Sequence, residues 1–146
     1  MNLFKEIFRD ITTLGGFVFT SLLCLTLLVV EQYGLFFKTV VGLVLILLIC
    51  IIIRLLYYKD RPRKQPHHNL IERIDASSFP SMHTARAFFL PIIFWHITPQ
   101  VSFKIVLILL TITVTYSRIY LQKHDWIDVS AGAILGTIVG IGIIYF

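Results

Sequence analysis

Apolar runs long enough to cross a bilayer decide what this chain can become. Residues 11–30 carry no charge at all. Residues 35–58 carry charge only at Lys38 and Arg54, near the two ends, and residues 126–146 only at Asp128, in the first turn. Residues 82–97 and 101–120 are nearly as apolar. A helix needs about 20 predominantly apolar residues to span the hydrocarbon core. Only helices or closed barrels can satisfy their backbone there. The expected fold is therefore all-α: a single membrane-embedded domain over residues 1–146, built as a helical bundle of about five transmembrane helices. Only 14% of residues are charged, against about a quarter in soluble domains. Cys24 and Cys50 lie inside apolar runs and read as packing residues, not as a disulfide framework.

Taken in order, residues 1–10 read as an N-terminal interfacial amphipathic helix. Leu3, Phe4, Ile7, Phe8 and Ile11 share one side, and Lys5, Glu6, Arg9 and Asp10 lie elsewhere. Such a helix lies in the headgroup plane. The run that follows has no small-residue cleavage site, so it is expected as the first span and not as a secretory leader. Gly15 and Gly16 mark close packing or a bend near its start. Residues 31–34 form a tight turn into the second span. Residues 59–81 are the one long polar stretch, a loop with a short helix near residues 69–74. A loop of this length in a small membrane protein is usually functional. Pro91 should kink the third span. Gly132, Gly136 and Gly140, four apart in the fifth, let another helix approach closely.

Alternation of five spans brings Arg54, Arg61, Ser81, His83, Arg118, His124 and Asp128 to one membrane face. The pattern has a chemical meaning. Guanidinium groups grip a phosphate bidentately. The first turn of a helix at residues 80–83 offers backbone N–H groups and the Ser81 hydroxyl to an anion. His124 and Asp128, four apart at a helix start, put a carboxylate within reach of an imidazole. Two histidines then permit a two-step transfer, one attacking phosphorus and the other protonating the leaving oxygen. A metal centre fits poorly, because so many cations would repel a divalent ion. The net charge of +5, set between apolar runs, fits anionic lipid better than nucleic acid. His67 and His68 are expected on the loop surface, and His96 toward the opposite face. Arg86 either faces the pocket or pairs with a carboxylate such as Asp75.

With those residues in view, the chain resembles the type 2 phosphatidic acid phosphatase superfamily, which includes lipid phosphate phosphatases and vanadium haloperoxidases. Ser117, Arg118, His124 and Asp128 match the family's third motif in full. Pro80-Ser81-Met82-His83 matches the second with Met in place of Gly. Arg54, followed by Arg61-Pro62, matches the first with Arg in place of Lys. The resemblance implies that His124 is the nucleophile, forming a phosphohistidine oriented by Asp128, and that His83 is the general acid. It assigns phosphate binding to Arg54, Arg61, Ser81, the Met82 backbone amide and Arg118, with no metal and no cofactor.

The expected function is hydrolysis of a lipid phosphate or a polyprenyl pyrophosphate. The rival readings are a lipid phosphotransferase on the same site and a non-catalytic binder of anionic lipid. The expected location is the cytoplasmic membrane of a prokaryote. Loop lysines and arginines favour a cytoplasmic site; family members acting on envelope lipids place it outside, and that side is the expectation taken.

Overall fold

The computed structural model describes residues 3–95, 97 and 99–145. The expectation for His96 falls outside these. Among the described residues the chain forms seven α-helices: α1 (Leu3–Thr12), α2 (Phe17–Val29), α3 (Tyr33–Leu56), α4 (Leu70–Ala76), α5 (Met82–Phe94), α6 (Val101–Tyr120) and α7 (Trp126–Tyr145), with a 3₁₀ turn at Thr13–Gly15. The all-α membrane bundle stands, with a different tally of spans. α3, α6 and α7 are long and apolar enough to cross a membrane, and the bent pair Leu3–Gly15 and Phe17–Val29 makes a fourth. α5, expected as a full span, has only 13 residues.

The first span departs most from expectation. It is not one straight helix over residues 11–30. The chain turns by 46° between Leu3–Gly15 and Phe17–Val29, and Gly16 is extended at the break (φ −81°, ψ 167°). A Cβ on Gly15 would stand 3.0 Å from the His83 carbonyl oxygen and 3.0 Å from Val114 Cγ1, so this glycine admits α5 and α6 against the turn. The amphipathic α1 also does more than lie at the interface. Phe8 stacks on Tyr120 with ring centroids 4.5 Å apart, which docks α1 against α6.

α5 is the hub, packing on α3, α6, α7 and the 3₁₀ turn. Its buried Ala85, Phe89, Leu90 and Ile93 join Ile46 and Cys50 of α3 and Val139 and Ile143 of α7 in one core cluster. The glycine stripe of α7 faces it as expected: a Cβ on Gly132 would stand 2.5 Å from the Ser81 carbonyl oxygen, and one on Gly136 only 2.0 Å from that of Ala85. Consecutive α6 and α7, by contrast, hardly touch.

Pro91 lies inside α5 and has no N–H to give to Ala87, four residues earlier. The Thr111 hydroxyl of α6 lies 2.8 Å from that carbonyl and 2.8 Å from the Leu107 carbonyl of its own helix, and shares its proton between them. A neighbouring Thr repairing a proline gap is how lipid-embedded helices tolerate Pro. Thr111→Val should therefore lower stability by about 1–3 kcal/mol, the cost of stranding a buried polar group. Adding Pro91→Ala should restore part of it by returning an N–H to the gap. Thermal melts in detergent would read this, and a double variant melting lower than Thr111→Val would refute the pairing.

Two chain reversals use the same device. Glu31 (φ 60°) and Gln122 (φ 54°) adopt left-handed backbone. At the end of α6 the Gln122 N–H donates to the Ile119 carbonyl at 2.9 Å and the Lys123 N–H to the Arg118 carbonyl at 3.1 Å. This 6→1 and 5→2 pair is the Schellman termination, and it sets His124 back beside Arg118.

Candidate active site

Most site residues stand at or beside a helix end, with Arg61 in the loop that follows α3, and local geometry explains why. α7 opens with a reciprocal cap. Asp125 Oδ1 accepts the Asp128 N–H at 3.0 Å, and Asp128 Oδ2 accepts the Asp125 N–H at 3.1 Å, a capping box built from two aspartates. Lys59 bridges the pair, its Nζ 2.5 Å from Asp125 Oδ2 and 2.8 Å from Asp128 Oδ1. Asp128 is wholly buried, and its backbone carbonyl accepts the Ser81 N–H at 3.0 Å. That bond ties the start of α7 to the start of α5.

His124 is 2% exposed. Its Nδ1 lies 3.6 Å from Asp128 Oδ2, a contact longer than a hydrogen bond, and Nδ1 has no partner among the described residues. Its Nε2 lies 3.4 Å from Arg118 Nη2. A guanidinium only donates, so this contact assigns the lone pair to Nε2 and the proton to Nδ1, on the Asp128 side. Burial holds the His124 imidazole well below the ordinary histidine range, at about 4, with the Arg118 charge lowering it further and Asp128 offsetting part of the effect. The imidazole is thus neutral at physiological pH, with the Nε2 lone pair turned toward Arg118.

Arg118 and Arg61 lie within electrostatic range of this imidazole, and Arg54 lies within range of Arg118. Arg118 donates from Nη1 to Thr12 Oγ1 at 2.9 Å, so the docked α1 braces it. Arg54 donates to the Ile74 carbonyl at 3.1 Å and the Pro80 carbonyl at 3.0 Å, which pins the 59–81 loop. Arg61 donates to Gln65 Oε1 and the Asp75 carbonyl. Yet the Nε of all three is buried without a partner among the described residues. Buried donors are normally satisfied, and a group of three marks a place for an anion with several acceptor oxygens.

Ser81 is the N-cap of α5, its Oγ accepting the Thr84 N–H at 3.5 Å and the Thr84 hydroxyl at 3.0 Å. Its own hydroxyl proton remains available as a donor. Met82 opens the helix without left-handed backbone, so replacing Gly there brings no strain. The first N–H groups of α5, those of Met82 and His83 included, have no intrahelical partner. His83 is half-buried and within electrostatic range of His124.

Other expectations resolve simply. His67 and His68 are exposed. Arg86 makes no ion pair with Asp75; its Nη2 instead contacts Met82 Sδ at 3.5 Å. Asp125 does not compete for His124, since it caps α7 and binds Lys59. The charge of Lys59 beside the site follows from its place within the Arg54–Arg61 segment, but its pairing with Asp125 and Asp128 is what sequence reasoning missed. Among the described residues no group of three His, Cys, Asp or Glu side chains is placed to hold a metal ion.

A neutral His124 bears on the pH profile of any reaction that uses its lone pair. The acid limb of kcat/KM, which reports the free protein, should fall near pH 4, where His124 protonates, and not near 6.5. A limb at 6.5 in initial-rate measurements would contradict the buried neutral imidazole.

The family model of the PAP2 superfamily matches residues 35–146. Among solved structures, that of LpxE from Aquifex aeolicus matches with a TM-score of 0.82 at 25% identity, over 100% of this chain and 88% of that one. A transmembrane PAP2-type phosphatidylglycerolphosphate phosphatase from Bacillus subtilis matches with a TM-score of 0.72 at 24% identity, over 100% of this chain and 77% of that one. No curated protein matches the sequence significantly.

Proposed function

The chain belongs to the PAP2 superfamily, and on that footing we propose that it is a membrane phosphatase that hydrolyses a lipid phosphate or polyprenyl pyrophosphate through a phosphohistidine at His124. One observation carries this reading: three arginines, each with a buried Nε–H that has no partner among the described residues, gather beside a neutral histidine backed by a buried carboxylate. The names of the two similar structures, one of them a lipid phosphate phosphatase, agree with it.

The chemistry follows from the groups present. Arg54, Arg61 and Arg118, with the Ser81 hydroxyl and the Met82 amide, hold the phosphoryl oxygens. His124 Nε2 attacks phosphorus, forming an N–P bond as the bond to the leaving oxygen breaks. His83, protonated once the bound phosphoryl charge offsets the surrounding arginines, gives its proton to that oxygen. Asp128 stabilises the positive charge that develops on the imidazole. His83, now neutral, takes a proton from water, which attacks phosphorus and releases phosphate and free His124. Arginines supply the charge that a metal provides elsewhere, and Lys59 already neutralises the nearest carboxylates.

The test is phosphate release from detergent-solubilised phosphatidic acid and from a polyprenyl pyrophosphate, with and without chelator. Release that survives the chelator supports the reading; release that stops with it, or none from either lipid, sinks it. We place the site on the external face of a prokaryotic cytoplasmic membrane, by analogy with family members that act on envelope lipids. Lys64, 81% exposed at its side chain in the 59–81 loop, reports this: Lys64→Cys should react with an impermeant maleimide in intact spheroplasts. Labelling only after lysis would place the site inside.

A further inference from the structure

Arg86 has no role in the phosphoryl transfer above, yet it is 7% exposed within a lipid-embedded helix. Among the described residues its hydrogen bond goes to a thioether, Met82 Sδ at 3.5 Å, a weak acceptor. No carboxylate among the described residues pairs with it, since the ion pairs involve only Lys59, Lys64 and His124. An ionised side chain in a membrane helix is costly and normally partnered. Arg86 also lines a cavity of about 370 Å³ between α2 and α3. Phe17 and Leu47 lie toward the site end of that groove, and Leu28 and Phe36 toward its far end. The Thr20 hydroxyl beside Arg86 is already bonded to the Gly16 and Phe17 carbonyls. The groove is therefore lined mainly by apolar side chains, with Ser21 and Cys24 among them and Arg86 as the one cation in its lining.

Such a shape fits an amphiphile with its anion at Arg86 and its chain running down the groove. Arg86 follows His83 by three residues, a rise of about 4.5 Å into the membrane. A lipid monophosphate sends one anion to the outer arginines and leaves Arg86 unpaired. A lipid diphosphate sends a second phosphate one step deeper, between the scissile phosphoryl and the chain.

We propose that Arg86 is a specificity residue binding the inner phosphate of a lipid diphosphate, whose chain occupies the α2–α3 groove. This deepens the phosphatase reading and rests on it. When His124 attacks the outer phosphorus, the bond to the bridging oxygen breaks and the electron pair leaves with the lipid monophosphate. Arg86 holds that developing charge, so the leaving group depends less on the His83 proton than an alkoxide does.

The experiment compares farnesyl diphosphate with farnesyl monophosphate, chain-matched, on the full protein in detergent. The wild type should favour the diphosphate. Arg86→Gln should lower kcat/KM on the diphosphate by about 10- to 100-fold, the effect of losing a charge-assisted hydrogen bond, and by at least about tenfold less on the monophosphate. Arg86→Lys should recover part of the preference, which also controls for folding. Inorganic pyrophosphate should inhibit the wild type more strongly than phosphate, and Arg86→Gln should narrow that gap. Equal losses on both substrates, a wild type that favours the monophosphate, or a variant that merely sheds a copurifying phospholipid would overturn the proposal. His124→Ala retaining full turnover would instead overturn the catalytic reading, leaving the inhibitor ratio as a separate test of Arg86.

Discussion

Replacing His124 with Ala should lower phosphate release by at least about 10⁴-fold, equivalent to about 5.5 kcal/mol of transition-state stabilisation. The side chain supplies the atom to which phosphorus bonds, and no neighbour can take its place. Arg118 and Arg61 are cations, and Asp128 is held by Lys59 and by the Asp125 N–H. The fold should survive the change. The turn at residues 118–124 is held by backbone bonds to the Ile119 and Arg118 carbonyls, and the cap of α7 uses Asp125 and Asp128. A dead but folded protein is therefore expected, checked by phosphate release beside a thermal melt. Asp128→Asn is predicted to differ: it should slow turnover by about 10²- to 10⁴-fold through loss of imidazole orientation and also lower the melt, because Lys59 loses a charged partner.

Gly136→Leu should be the most damaging single change to the fold. Its Cβ would stand 2.0 Å from the Ala85 carbonyl oxygen and 2.9 Å from the Ala85 carbonyl carbon. These are backbone atoms of a helix that cannot rotate aside, so α5 and α7 must separate. A loss of about 3 kcal/mol or more is expected, at the upper end for overpacking. Activity should fall with it, since the Ser81–Asp128 backbone bond joins the same two helices. Gly142, on the same helix, has nothing within 4 Å of its Cβ. Gly142→Ala should leave stability unchanged or raise it by up to about 1 kcal/mol, through helix propensity alone. Detergent melts of the pair decide the matter: similar losses in both would remove close packing as the cause.

The long apolar runs made the membrane helices legible, and α6 falls on its expected residues. Its start after Pro99 and its end before the left-handed Gln122 are both local effects. The first span was not legible as a bent pair, because apolar composition carries no direction: the turn at Gly15–Gly16 depends on α5 and α6 filling the space beside Gly15. The place of α5 at the hub was likewise not legible, because the enclosure of Ala85 and Phe89 by other helices is a property of the packing. At the site, Arg118, His124 and Asp128 were readable from spacing, since a helix end and a helix start fix their separation. Lys59 was not, because its partners lie 66 and 69 residues away and no local pattern records that contact. The use of Arg54 to brace backbone carbonyls was hidden for the same reason: its partners are main-chain atoms of Ile74 and Pro80, which carry no side-chain signature.

The most direct test of the account is where the phosphate goes. Full-length protein mixed with a ³²P-labelled lipid phosphate, quenched in alkali within a turnover and digested for mass spectrometry, should carry an alkali-stable, acid-labile phosphate on His124. Its appearance should keep pace with steady-state release. Label on any other side chain, or steady release with no protein-bound phosphate at any quench time, would contradict it.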